Sequence, residues 1–429
     1  MKNTMRPYIV CLLLLLAAFD AVAGTDVARA TRRASGRPRL AQVEASRALQ
    51  VRSGAEILPA PTGPYQTGRM SFHWKDNERE ELETKATGDK RELMVHLFYP
   101  RDSAATPERT VYLPDADVLR GEWKDATLTR ISAMRSFSHE NAPVASGAAR
   151  YPVAIFSPGF GMKALMNQAL IEDLASHGWV VAAIDPPYNT PVRFPDGRVL
   201  GNLQPAEQGW PIVNAKKNGD IELIKRWHIE RITHWSRDMS FVIDQLTAFD
   251  NGSGPFARRL DLQHGVGVFG HSFGGLAAGT VRLLDTRVRA AINLDGGGVN
   301  GSYEMVKGSN VFGAQPLLWV LRRPLAKGET WYEDRLLQPI VGGALRVVLN
   351  RPGFTHGDFS DEGFWGGSIT PATRTAKLKA FAEVREWVRS FFDATVRGDW
   401  VGLKRLSSRT SAATPNRVTA LGAFWPSDR

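Results

Sequence analysis

The pentapeptide Gly270-His271-Ser272-Phe273-Gly274 constrains this chain more than any other stretch. It is a G-x-S-x-G pattern set between two readable elements. Residues 265–269 (GVGVF) read as a short buried strand. Residues 273–284 are rich in small and apolar side chains, contain no proline, and read as a helix. A strand that turns directly into a helix at a serine is a nucleophile elbow. The turn is so tight that its flanks must be small, a need that Gly270, Gly274 and Gly275 meet. The elbow exposes the serine hydroxyl at the carboxyl end of a sheet and at the positive end of a helix.

Further buried-type strands read at 69–74, 91–99, 151–156, 179–184, 290–294, 316–321 and 345–349. Helical patterns fall at about 165–177, at 370–392, and from a cap at Asp220 to about Phe249. In that last segment Ile221, Ile224, Ile232, Trp235, Met239, Val242 and Leu246 form an apolar stripe, read as core packing. The alternation predicts an α/β chain with a mostly parallel central sheet and helices on both faces. Its catalytic domain is expected to span 65–398. The stretch from 100 to about 150 reads as loop-rich. The proline-interrupted stretch 186–219 reads as a lid or wall over the site. Residues 399–429, rich in Ser, Thr and Arg, read as a loosely ordered tail.

The amino terminus has the pattern of an export signal. Lys2 and Arg6 precede the apolar run Tyr8–Phe19, and Ala21-Val22-Ala23 supplies a cleavage site. Residues 1–23 are therefore expected to be a signal peptide, and the mature protein to be periplasmic or secreted. The sole cysteine, Cys11, lies inside that segment, which leaves no thiol or disulfide afterwards. The formal net charge is +10. Arg29, Arg32, Arg33, Arg37, Arg39, Arg47 and Arg52 concentrate part of it in 24–64. That segment reads as a flexible basic linker or, alternatively, as an arm making peripheral contact with anionic membrane. No zinc finger, RNA-recognition pattern or basic-aromatic array points to nucleic acid.

Chain order narrows the rest of the site. Nucleophile elbows on this kind of sheet are followed by an acid and then a histidine. Of nine histidines only His356 follows Ser272, so it is the expected base. Asp295 ends the next expected strand, 23 residues beyond Ser272, and is the expected acid. Asp285 falls near the end of the intervening helix, and Asp358 sits close to His356 in sequence; both are weaker candidates. Two backbone N–H groups must stabilise an oxyanion. Phe273 is expected to supply one and Phe160, in the Gly159-Phe160-Gly161 turn, the other.

Taken together these residues resemble the platelet-activating factor acetylhydrolases of the plasma and type II kind, within the α/β-hydrolase superfamily. The resemblance rests on Gly270-His271-Ser272-Phe273-Gly274-Gly275, on the early acid Asp295, on His356 with Phe359 three places later, and on the turn Phe156-Ser157-Pro158-Gly159-Phe160-Gly161. It implies a calcium-independent serine esterase, needing no cofactor, that releases short or oxidised acyl chains from glycerophospholipid-like esters. A general exported esterase or polyester hydrolase of the same fold is the alternative. A catalytically silent binding protein is the reading from another class.

Overall fold

In the computed structural model the apolar runs pair into one large sheet. The structure describes residues 57–421 and 424, apart from 85, 103–107, 122, 148–149, 202–219, 297–314, 323–342, 350, 367–368, 409–416. The expected signal peptide, most of the basic linker, and residues 202–219 of the expected lid thus lie outside the described residues.

The strands are β1 (Thr67–Glu80), β2 (Lys90–Pro100), β3 (Arg109–Val111), β4 (Arg135–Glu140), β5 (Tyr151–Ser157), β6 (Val180–Asp185), β7 (Val192–Arg193), β8 (Val199–Leu200), β9 (Leu260–Asp261), β10 (Val266–His271), β11 (Val288–Leu294), β12 (Leu317–Arg322), β13 (Ala344–Leu349) and β14 (Arg417–Leu421). The main sheet runs β14-β13-β12-β11-β10-β5-β6-β2-β1-β4-β3. Its centre, β13 through β6, is entirely parallel. The helices are α1 (Asp125–Ala133), α2 (Gln168–Ser176), α3 (Ile221–Asn251), α4 (Phe273–Leu284), α5 (Glu362–Trp365), α6 (Pro371–Thr395) and α7 (Val401–Ser408).

Side-chain alternation divides the core between the two faces of the sheet. From β5, Ala154 and Phe156 pack with α2 and α6, in a cluster that includes Leu170, Phe391 and Phe392. Val153 and Ile155 point the other way, into a cluster with Met239, Val242 and Leu246 of α3 and Val281 of α4. This is the two-faced α/β sandwich expected from the sequence. The Asp220 cap is present too, its side chain accepting from the Leu223 N–H at 3.0 Å.

Three expectations need correction. The linker does not stay free to residue 64: Leu58 is buried, and the Thr62 and Gly63 N–H groups bond Asp173 and Ser176, each at 2.9 Å. Gly63 is needed there, because a Cβ would stand 2.1 Å from the Ser176 carbonyl oxygen. The 100–150 stretch carries α1, β3 and β4. Its strand Arg135–Glu140 (RSFSHE) lacks an apolar face because its inward partner is polar: buried Glu172 accepts from Ser138 N at 2.8 Å and Phe137 N at 3.2 Å. The tail from 399 is not loose throughout. Leu403 and Leu406 of α7 are buried, β14 pairs antiparallel with β13, and Phe424 stacks on Phe391 at 6.0 Å. β14 covers what would otherwise be an open sheet edge.

Charge is buried where β2 meets α3. Arg91 is 1% exposed. Its guanidinium donates to Glu81 at 2.8 Å and to both oxygens of Asp238 at 2.7 and 3.1 Å, while Arg79 donates to Asp238 at 2.9 Å. Burial pushes the Asp238 carboxyl upward, but the Arg91 and Arg79 cations outweigh it and hold the group well below the usual carboxylate range. A depressed carboxyl contributes stability above its unfolded pKa, about 3.9, and that contribution fades as pH falls toward the folded value. Asp238→Ala leaves the buried Arg91 guanidinium with Glu81 as its one remaining carboxylate and is expected to cost about 3–5 kcal/mol at neutral pH. Urea unfolding measures it; a loss under about 1 kcal/mol would show that the remaining carboxylates suffice for the two cations.

Candidate active site

β10 ends at His271, and Ser272 turns the chain with φ 53° and ψ −117° before α4 begins. Positive φ in a non-glycine residue costs about 1–3 kcal/mol and persists only when the surroundings enforce it. Here they do. A Cβ on Gly270 would stand 2.3 Å from the Gly274 carbonyl oxygen, and one on Gly274 would stand 2.1 Å from that of Ser157. Only glycine lets β5, β10 and α4 close on the serine. The Ser272 N–H bonds the Leu294 carbonyl at 2.8 Å, which ties the elbow to the end of β11.

The next residue after β11 is Asp295, also at positive φ (50°). Its N–H reaches the Val320 carbonyl of β12 at 2.8 Å. The elbow and the acid therefore occupy neighbouring strand ends on one sheet edge. Asn293 helps shape this corner: its Oδ1 accepts from Gly296 N at 2.8 Å, and a Cβ on Gly275 would stand 2.4 Å from that oxygen.

His356 follows β13 and opens a short 3-10 turn, His356–Phe359. Thr355 and Asp358 cap that turn reciprocally, with Asp358 further paired to Lys377 at 2.5 Å. Asp358 is thus occupied in holding the loop. Asp285, the other weaker candidate, pairs with Arg287 at 2.7 Å. The His356 Nδ1 instead meets Asp295 Oδ2 at 2.6 Å. With Nδ1–H donated to the carboxylate, Nε2 is the ring atom left to accept a proton. Among the described residues, the Ser272 hydroxyl makes no hydrogen bond to His356. Such contacts are commonly long until substrate is bound.

His271 braces the base from below. Its Nε2 lies 3.0 Å from the His356 carbonyl oxygen, and the two rings are 4.5 Å apart. Burial, together with neighbouring His356, holds the His271 imidazole well below its ordinary value. The ring is therefore neutral and donates from Nε2. Phe359 stacks on its other side at 6.1 Å.

The Gly159-Phe160-Gly161 turn lies against the serine: a Cβ on Gly159 would stand 3.3 Å from the Ser272 Cβ. Phe273 is the first residue of α4, where a helix leaves its N–H groups without internal acceptors. The Phe160 and Phe273 rings are 5.7 Å apart. Trp227 and Trp235 of α3 close in, at 5.7 Å from Phe160 and 4.9 Å from Phe273 respectively. Together with Pro187, Tyr188 and Asn189 these rings line a crevice with only about 10 Å³ of free volume, room for about one water.

All five residues expected from the sequence thus fall in one region. Sequence reading missed the part played by four neighbours. Arg322, last in β12, donates to Asp295 from its backbone N–H at 3.1 Å and forms an ion pair with it through Nε at 3.0 Å. Asn189 braces the Gly159 turn. Trp227 and Trp235 form a wall of the crevice, although Trp235 reads from its spacing as core; the ring count of α3 was the available signal.

Comparison with known proteins agrees with this architecture. Residues 50–187 match the family described as platelet-activating factor acetylhydrolase, isoform II. A probable 1-alkyl-2-acetylglycerophosphocholine esterase of Arthroderma benhamiae is 26% identical over 56% of this chain and 59% of its own length. A platelet-activating factor acetylhydrolase of Canis lupus familiaris is 31% identical over 36% of this chain and 37% of its own. The chain thus spans less than two thirds of these two relatives. A ferulic acid esterase from Streptomyces cinnamoneus superposes with a TM-score of 0.63 at 27% identity, covering 84% of this chain and 98% of that one. The fold is that of the α/β-hydrolases, and the resemblance to the acetylhydrolase family read from the sequence holds.

Proposed function

We propose that this chain is a serine carboxylic ester hydrolase that removes short or oxidised acyl chains from glycerophospholipid-like esters. The observation that carries the reading is the 2.6 Å contact between His356 Nδ1 and Asp295 at the sheet edge where the Ser272 elbow emerges. His356 takes the Ser272 proton as the hydroxyl attacks the ester carbonyl. Asp295 stabilises the imidazolium that forms. The developing oxyanion is met by the Phe160 and Phe273 N–H groups. The alcohol departs with the proton from His356, leaving an acyl-enzyme that water, activated by the same ring, hydrolyses. The similarity to an esterase of 1-alkyl-2-acetylglycerophosphocholine supports the glycerophospholipid half of the reading. In this reading the basic arm ahead of residue 57 draws the enzyme toward anionic lipid.

A second reading, a general esterase acting on aromatic esters, is favoured by one observation. The aromatic wall of Phe160, Trp227, Trp235 and Phe273 sits on a fold shared with a ferulic acid esterase. Hydrolysis of a short-acyl phosphatidylcholine, a short-acyl aryl ester and a feruloyl ester by the purified protein separates the two. Turnover of the phosphatidylcholine, lost as salt screens anionic vesicles, is the expected result. Turnover of the aryl and feruloyl esters alone would replace it with the second reading. No turnover of any of the three would leave the silent binding protein.

A further inference from the structure

The Gly159 turn must present its N–H groups correctly if it is to receive an oxyanion, and the turn itself supplies one bond toward that. Gly159–Met162 closes as a four-residue turn, with Met162 N bonding Gly159 O at 3.1 Å and Gly161 at φ 77°. That closing bond holds the Gly159 carbonyl by a single N–H, and reversing the Gly159–Phe160 peptide would break it. The Gly159–Phe160 peptide is trans, so its carbonyl and its N–H point in opposite directions. In one orientation Phe160 offers its N–H to the site. In the other, the Gly159 carbonyl oxygen occupies that space and repels developing negative charge.

Asn189 joins the Met162 N–H in fixing the first. It is 4% exposed and grips the turn at three backbone groups. Its Oδ1 accepts from Gly161 N at 2.7 Å, and its Nδ2 donates to Gly159 O at 3.3 Å and to Met162 O at 3.1 Å. The Gly161 N–H requires an acceptor and the two carbonyls require donors, so only one orientation of the amide serves all three. The Gly159 carbonyl is thereby drawn to the Asn189 side, and the Phe160 N–H is turned away from it.

Asn189 is itself anchored. Tyr188 before it lies at φ 64°. Two residues later, the Pro191 carbonyl accepts from Lys163 Nζ at 2.7 Å. Lys163 is fully buried and pairs with Asp115 at 2.8 Å. The brace is therefore built on a rigid, charged footing rather than on a free loop.

We infer that Asn189 is a positioning residue that locks the Gly159–Phe160 peptide with its N–H available to the oxyanion. The inference rests on the esterase reading above, but its failure is distinguishable from that of the reading. Asn189→Asp is the sharpest test: it keeps an acceptor for Gly161 N–H but sets a carboxylate oxygen against the Gly159 and Met162 carbonyls. Asn189→Ala removes all three bonds without adding charge.

Both variants are expected to lose about 10²–10³-fold in kcat, the effect of one lost oxyanion donor, with KM changed less than about threefold. Affinity for an alkyl boronic acid, which forms a tetrahedral adduct on serine, should fall in parallel. A residue that only packs would lower Tm without moving boronate affinity. The inference is overturned if folded Asn189→Asp or Asn189→Ala keeps kcat and boronate affinity within threefold of the parent protein. It is overturned equally if both variants fail to fold by circular dichroism, since the residue is then structural. Ser272→Ala run alongside reports on the underlying reading: if it still turns over ester, that reading falls irrespective of Asn189.

Discussion

Ser272→Ala is expected to lower ester hydrolysis by about 10⁶-fold, the loss typical of removing a triad nucleophile, with the fold intact. The hydroxyl is the only group deleted. The backbone at Ser272 is held at positive φ by the glycine contacts around it, and alanine meets the same strain as serine there. The buried elbow backbone bonds, Ser272 N to Leu294 O and Leu276 N to Ser272 O, are untouched. Residual catalysis should survive above the solvent rate, because the Phe160 and Phe273 backbone N–H groups remain beside the elbow. The measurement is kcat on a short-acyl aryl ester together with covalent labelling by a fluorophosphonate. Loss of both, with an unchanged circular dichroism spectrum, identifies the nucleophile. Activity within tenfold of the parent would mean that the attacking group lies elsewhere and that the elbow is a scaffold.

How much of this was legible beforehand differs sharply between elements. The elbow was readable because its geometry admits so few residues: glycines at 270 and 274 are forced by backbone contacts under 2.5 Å. The meeting of His356 with Asp295 was readable through chain order, since only one histidine follows the serine. The position of Asp295 beside the elbow followed from the length of one helix and one strand. Arg322 and Asn189 were not readable. Each acts on a residue distant in sequence, Arg322 on Asp295 and Asn189 on Gly159, through contacts that only the packed sheet creates. β4 was hidden for a related reason. Its partner is the buried carboxylate of Glu172 rather than an apolar face, so the alternation that marks a strand is absent. The tail strand β14 was masked by its Ser/Thr/Arg-rich surroundings; its place is fixed by pairing to β13, a long-range fact. Local pattern thus reported what local sterics enforce, and missed what distant partners supply.

Asp295→Asn tests the second of the long-range links, and a fall in kcat of about 10⁴-fold is expected. The carboxylate accepts the Nδ1 proton of His356 at 2.6 Å, which leaves Nε2 unprotonated and basic. An asparagine amide that faces the ring with its NH₂ group donates to Nδ1 and forces the proton onto Nε2. The ring can then no longer take the Ser272 proton. The amide oxygen in the Oδ1 place can still accept the Arg322 backbone N–H, while the Arg322 Nε contact at the Oδ2 place is lost. Backbone strain is not expected to confound the result. Asp295 sits at φ 50°, a region that asparagine enters more readily than other non-glycine residues. Arg322 cannot take over the lost role, because a guanidinium has no lone pair to accept the Nδ1 proton. Of the other nearby carboxylates, Asp358 is committed to Thr355 and Lys377. If Asp295→Asn nonetheless turns over ester at close to the parent rate while remaining folded, the acid is not Asp295. The His356–Asp295 contact would then be an ion-pair network with Arg322 that holds the loop, and the base would have to be oriented by its carbonyl contact with His271 alone.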